Sequence, residues 1–435
     1  MLGAGGAAVA TSGSYDSKEV FGEVNAPLIS DRPFFHDLSV EAGIRYSNYS
    51  TSGGNTTYKF GGSYSPVRDI KFRAAYTKAV RAPNIGELFS PVNTVLATRA
   101  IDPCQLALAT TDANRTALCT AQLAAVGLPA TRIGAIPPPI ANQINTTGGG
   151  NPNLAPETAR TLTIGVVVAP SFLSGFTASL DFYRVRVRGA ITTPTISDIV
   201  DGCFGQTSTT DPRCLAIRRN PLTGGLSGDP ASTQGVIVQA SNLGSLHVEG
   251  YDLTAAYTRR FGNFLANLSF NGNYTSKSRF QATPSGFIRE CVGYCSASCD
   301  PVLPKYTWNT RVGGKYEQID ISILWRHLSS VSYEPRTGTN VTTPPVAGTV
   351  GSFGAVNPAT IVGAYRDNSA YNTFDTNIGF DVNKMMSLSF LVENLTDKQP
   401  PLTGNTIGSL SSGNTFPSTY DTIGRRFTVT ARLRF

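Results

Sequence analysis

Three histidines, seven cysteines and a scatter of arginines are the residues of this chain with the most chemistry in them. Hydrolysis would need a histidine set beside a serine or an aspartate, and no spacing around His36, His247 or His327 suggests such a pair. His327 follows Trp325 at the end of an alternating apolar stretch, a place for an interfacial ring rather than a catalytic one. The cysteines, Cys104, Cys119, Cys203, Cys214, Cys291, Cys295 and Cys299, all fall in Gly-, Pro- and Asn-rich segments. Close pairs in loops favour disulfides made in an oxidising compartment. Zinc is the competing chemistry, but no histidine lies near any of them and the run through Cys291, Cys295 and Cys299 is isolated. The expected bridges are Cys104 with Cys119, Cys203 with Cys214 and Cys291 with Cys299, which leaves Cys295 over. No metal and no cofactor is expected. The glycines at Gly148 to Gly150 precede no helix, so they do not read as a phosphate cradle.

These residues are set among stretches with a two-residue rhythm. The clearest is the end, TIGRRFTVTARLRF, apolar at Phe427, Val429, Ala431, Leu433 and Phe435 and polar or cationic at Thr428, Thr430, Arg432 and Arg434. A period of two is a strand with two unlike faces. A half-buried soluble strand shows it, and so does a strand of a membrane barrel, which crosses the bilayer in about 9–11 tilted residues. The rhythm recurs from Val20 to Leu28, Leu38 to Tyr46, Tyr58 to Tyr64 and Phe72 to Tyr76, then from Leu162 to Val168 and Phe176 to Phe182. It continues from Tyr251 to Tyr257, Phe264 to Tyr274, Tyr306 to Tyr316, Ile319 to Trp325, Phe374 to Val382 and Leu388 to Val392. With the terminal strand this makes about thirteen, an odd count where single-chain bacterial barrels are even. On the Phe264 strand the other face reads Asn267, Ser269, Asn271, Asn273 and Thr275, a hydrophilic row that no soluble sandwich needs. At Tyr183 the phase breaks, which means either a bulge or a strand that has already left the bilayer.

Connections alternate between short turns and loops of tens of residues, the asymmetry of outer-membrane barrels with short periplasmic turns and long extracellular loops. Long loops are expected near 80–156, 191–244, 276–305, 330–370 and 396–421, with residues 1–17 a loop remnant. The segment DANRTALCTAQLAAVG in the first loop has the composition of a short helix. No run approaches the roughly 18 apolar residues of a membrane helix, and the mean hydropathy of −0.07 is what two averaged faces give. The net charge of +7 is spread singly along alternating faces with no basic run, so nucleic acid is not the expected partner. The opening MLGAGGAAVATSG lacks the cationic start and apolar core of a secretory signal. An exported barrel would then be missing its amino end.

Four segments, in order, resemble the carboxyl-terminal half of the barrel of TonB-dependent outer-membrane receptors. They are FRAAYTKAVRAPNIGELFSP (72–91), NPNLAPETARTLTIGV (151–166), LVENLTDKQPP (391–401) and the closing YDTIGRRFTVTARLRF. The resemblance implies an all-β transmembrane antiparallel barrel of about 22 strands with a plugged lumen. This chain would supply about the last thirteen, without the plug, the amino-terminal strands or the segment that engages the TonB energy-transducing complex. It implies a receptor, not an enzyme, in the outer membrane of a Gram-negative bacterium, surrounded by outer-membrane lipid. The expected cargo is a scarce bulky solute, a ferric siderophore first, with an oligosaccharide or other nutrient next, and a passive pore or surface-binding barrel is the alternative from another class. Residues expected to face ligand or plug are Arg73, Arg311, Arg432 and Arg434 on the lumen row, with Glu41 and Arg45, and Arg81, Asn84 and Glu87 in the first motif. The bland reading of the row is a solvated wall balancing its charges, and of the motif, a tie between strand and loop.

Overall fold

The computed structural model describes residues 10–99, 101–105, 112–283, 288–295, 302–333, 367–403 and 414–434. Four long strands come first, β1 (Ser17–Arg32), β2 (Phe35–Tyr49), β3 (Gly53–Val67) and β4 (Ile70–Arg81), each antiparallel to the one before. The chain then leaves the sheet for α1 (Ile85–Phe89), β5 (Asn93–Thr98), α2 (Ala113–Ala124) and β6 (Gln143–Gly148), and returns as β7 (Glu157–Val168) and β8 (Phe176–Thr192). A second excursion holds α3 (Ile196–Phe204), α4 (Pro212–Leu215), β9 (Ile217–Arg218) and β10 (Gly235–Ile237), followed by β11 (Ser241–Phe261) and β12 (Phe264–Gln281). Two short pieces, β13 (Arg289–Glu290) and β14 (Tyr294–Cys295), precede β15 (Tyr306–Tyr316) and β16 (Ile319–Leu328). Two more, β17 (Val331–Tyr333) and β18 (Asp367–Asn368), precede β19 (Tyr371–Asp381), β20 (Met386–Glu393) and β21 (Arg426–Leu433).

The main sheet runs β1-β2-β3-β4-β7-β8-β11-β12-β15-β16-β19-β20-β21, with β13 attached to β12 as a fourteenth strand. The thirteen long strands are those the alternation marked. Each neighbours its successor in the sheet because the turns at one end are tight. At β11–β12 the turn holds Gly262 at φ 59°, and at β15–β16 it holds Glu317 at φ 49°, the left-handed backbone that two-residue hairpins require. The connections at the other end are long, except the three-residue link between β2 and β3.

The apolar face of this sheet is uncovered. Val20, Ile44, Phe60, Ile164, Leu253, Leu268, Val312, Ile321 and Val429 are all exposed. The buried cores lie in the long loops and at the strand ends beside them: Leu118, Ile144, Val200, Cys203 and Val236 in one cluster, Cys104, Cys119 and Leu123 in another. An apolar sheet face of this extent left uncovered is a face made for lipid. Among the described residues no helix is long and apolar enough to cross a membrane.

The phase break at Tyr183 is not a bulge. β8 pairs with β7 without a register shift from Ala178 to Arg188, so no bulge intervenes there. Tyr183 turns to the lumen side, where its hydroxyl accepts a hydrogen bond from Asn273 Nδ2 at 2.9 Å. Arg184, Arg186 and Arg188 therefore continue the face that below them is Phe176, Ala178, Leu180 and Phe182. The strand is unbroken; its outer face changes from apolar to cationic side chains.

Candidate functional site

The first motif builds a junction between wall and loop. Arg81, at the end of β4, donates from Nε to Glu157 at 2.6 Å and from both Nη atoms to Glu87 at 2.9 and 3.0 Å. Asn84 caps α1, its side chain accepting from the Glu87 amide at 2.8 Å while Glu87 accepts from the Asn84 amide at 2.8 Å. Glu157 also receives the Ile191 amide at 3.0 Å, which brings β8 into the same network. The second motif packs on the first: a Cβ on Gly150 would lie 2.6 Å from the Leu88 carbonyl, and Asn151 donates its amide to Glu87 O at 2.8 Å. Leu88, Leu154 and Ala240 close a small core beneath it. Arg81, Asn84 and Glu87 thus spend their hydrogen bonds on one another and on β7, which makes them a strand-to-loop tie.

Burial pushes the Glu87 carboxyl up, but the Arg81 guanidinium and the Asn84 amide outweigh it and hold the group below the usual glutamate range. A carboxylate with a lowered folded pKa contributes stability above its unfolded value and loses it as pH falls through the folded one. The junction is expected to hold at neutral pH and to loosen in acid, below the ordinary glutamate value of 4.5. Arg81→Ala should cost about 1–2 kcal/mol locally, modest because Arg81 is half exposed, and should blunt that acid response. Hydrogen exchange of the Gly150 and Asn151 amides across pH 3–7 measures both effects; unchanged protection in the variant would contradict the tie.

The lumen candidates are not brought together. Arg73 on β4 makes two bonds to Asp181, at 2.8 and 2.6 Å; Arg311 on β15 donates to Ser322 at 3.1 Å; Arg432 lies on β21 and Arg434 just beyond it. Four strands separate β4 from β15 in the sheet. Glu41 takes Lys59 at 2.7 Å and Arg45 approaches Glu19 at 3.5 Å. Arg73, Glu41 and Arg45 are thus paired with opposite charges on the wall, while Arg311 meets a neutral hydroxyl. The third motif is also a tie. Asn394, at φ 52°, accepts the Lys398 amide at 2.8 Å and donates its own amide to Asp375 at 3.0 Å, while Glu393 and Asp421 both hold Arg426 across β20 and β21.

Sequence reasoning missed how the first two long loops fold into one unit. β5, β6, β10 and β9 form a four-stranded sheet with strands from both, and α2, α3 and α4 pack over it. Cys104–Cys119 and Cys203–Cys214 are disulfides, as their spacing suggested. Cys291 is disulfide-bonded; its expected partner Cys299 lies outside the described residues. Cys295 is a buried thiol 3.4 Å from Ser332 O. At the centre Arg219 donates two bonds to Asp102, at 2.6 and 3.0 Å, and one each to Gln122 and the Gly224 carbonyl. Arg99 reaches Asp201 at 2.9 Å, and Arg289 of the third loop reaches Asp198 on α3 at 3.0 Å. The short helix expected in DANRTALCTAQLAAVG is α2, and α3 carries a local signal that sequence reasoning missed, the capping pair Thr195 and Asp198. None of the three histidines is hydrogen-bonded to a serine, threonine or cysteine among the described residues: His36 faces Asp31, His247 faces Glu249, and His327 stacks on Trp308 at 3.6 Å. Among the described residues no cluster could hold a metal.

The family model described as TonB dependent receptor-like, beta-barrel matches residues 3–395. The chain belongs to the TonB-dependent receptor β-barrel family. The match begins ahead of the point near Val20 where the motifs begin to resemble the family, and it stops short of β21, which the sheet nonetheless incorporates beside β20. Similar solved structures include the siderophore receptor PirA from Acinetobacter baumannii, at 15% identity and a TM-score of 0.57 over 96% of this chain and 46% of that one. A ferric enterobactin receptor (PfeA) mutant from Pseudomonas aeruginosa aligns at 15% identity and 0.58, over 96% of this chain and 45% of its own. Another PfeA mutant, solved in complex with enterobactin, aligns at 17% and 0.57 over 96% of this chain and 45% of its own. The chain spans about half the length of these receptors, and at such identities they share its fold. No curated protein sequence matches the chain. This family is one of receptors and transporters of the outer membrane.

Proposed function

We propose that this chain is the carboxyl-terminal part of the barrel of an outer-membrane receptor that takes up a scarce bulky solute, a ferric siderophore first among the candidates. In this reading the short turns face the periplasm, and the loops near 80–156, 191–244, 276–305, 330–370 and 396–421 face outward and supply the cargo surface. A plug, the amino-terminal strands and the TonB energy-transducing complex complete the machine. The observation that carries the proposal is the division of the molecule: an apolar wall with no protein against it, topped at one end by packed loops, two of them each closed by an internal disulfide. A wall alone needs no such head. The siderophore receptors among the structural neighbours support the choice of cargo.

The test is uptake of radiolabelled iron, presented as a panel of siderophore complexes, by iron-starved cells with and without the full-length protein. Receptor-dependent uptake that stops with a protonophore is the expected result. Oligosaccharide uptake without iron uptake would overturn the cargo. Steady conductance of the purified chain in a planar bilayer, with no uptake of any cargo, would overturn energised transport and favour a passive pore.

A further inference from the structure

The arginines above the phase break of β8 stand in an uninterrupted basic row. Following the register across five strands, Lys78 on β4 opposes Arg160 on β7, Arg160 opposes Arg186 on β8, Arg186 opposes His247 on β11, and His247 opposes Arg279 on β12. All five lie on the outer face, since each has the parity of the lipid-facing residues below it or follows them across the one bulge, between Glu249 and Gly250. Like charges placed directly opposite repel. Here three cations stand side by side across β4, β7 and β8, with Arg184 and Arg188 on either side of Arg186 along the strand.

The protein neutralises only one side of this belt. Glu249 takes His247 at 2.6 Å and Lys277 at 3.3 Å, and lies 4.0 Å from Arg186; Glu290 takes Arg279 at 2.9 Å. Lys78, Arg160, Arg184 and Arg188 have no acidic partner among the described residues, and Arg160, Arg186 and Arg188 are exposed. Beneath its β8–β12 part runs a row of rings, Phe182, Tyr251, Tyr274 and Tyr306, tilted or stacked with centroids 5.4 to 6.2 Å apart, the signature of a hydrocarbon boundary. At about 3.3 Å of rise per residue and a tilt of about 40°, the two to six residues from Phe182 to Arg188 place the guanidinium groups roughly 5–15 Å above that boundary. That is the headgroup layer.

We infer that this belt binds the anionic headgroups, phosphate or carboxylate, of outer-leaflet lipid, so that the receptor holds a shell of charged lipid against β4, β7 and β8. The inference rests on the barrel reading and not on the cargo. The headgroup anions take the place of the missing carboxylates and remove the repulsion along the row.

The test uses the full-length protein in nanodiscs of phosphatidylcholine alone and of phosphatidylcholine with anionic phosphatidylglycerol, reading thermal stability and the lipid co-purified on re-extraction. Incorporation into both discs tests the barrel; the difference between them tests the belt. Wild type should be enriched in the anionic lipid and melt higher in its presence. The triple variant Arg160→Gln, Arg186→Gln, Arg188→Gln should lose about a hundredfold of that preference, the equivalent of three surface cations, and the Arg→Lys triple should keep most of it. Equal melting and equal lipid content in the two discs would overturn the inference, as would a Gln triple that retains the preference. Protection by inorganic phosphate alone, equal to that by lipid, would overturn it in favour of a free-anion site.

Discussion

Asp102→Ala is expected to cost the packed loops about 3–5 kcal/mol. Asp102 and Arg219 are almost wholly removed from solvent, at 1% and 0% side-chain exposure, and the guanidinium is aimed at both carboxylate oxygens. Removing the carboxylate leaves a buried cation whose remaining partners, Gln122, the Gly224 carbonyl and the disulfide sulfur of Cys104, are neutral. Asp102 also receives the Cys104 amide at 3.0 Å, so the loss reaches the disulfide. The double variant Asp102→Ala, Arg219→Met should recover much of the stability, because neither charge is then buried alone. Hydrogen exchange of β6 and α2 amides in both variants measures this. A double variant no better than the single one would show that packing around the pair, rather than the stranded charge, sets the cost.

The wall was legible because lipid and lumen impose opposite chemistry on successive residues, a demand each strand meets locally. Phe427, Val429 and Leu433 announce β21 without any knowledge of β20. The upper part of β8 was legible only as a disturbance, because its meaning depends on what lies outside the barrel at that height. The register with β7 turned the disturbance into a boundary. The motif residues Arg81, Asn84 and Glu87 were visible as a group, and their tie to the loop needed Glu157, which is 76 residues away. The head was the least legible. Arg219 and Asp102 are 117 residues apart and Arg99 and Asp201 are 102 apart; no local pattern records such pairs. The lumen arginines shared a face in the sequence yet stand on separate parts of the wall, since alternation gives the face and not the position around it.

The two disulfides divide the molecule's stability into parts that can be separated. Cys104–Cys119 and Cys203–Cys214 close loops with sequence separations of 15 and 11, each worth about 3 kcal/mol in restricted unfolded chain. Both belong to the head, and neither crosses to a barrel strand. Replacing each pair with alanine should therefore loosen α2, α3 and β6 while leaving the strand ladder intact. The expected readings are faster exchange in the head, loss of cargo binding, and unchanged resistance of the barrel to detergent unfolding on a gel. Cys104, Cys119 and Cys203 are fully buried and Cys214 nearly so, so a reductant added to the folded receptor should act only as fast as the head opens. Asp102→Ala, by raising the open population, should speed that reduction by more than tenfold, since 1.4 kcal/mol is already a factor of ten. If the barrel ladder melted together with the head in the disulfide variants, the head would be part of the wall's stability rather than a unit carried on it.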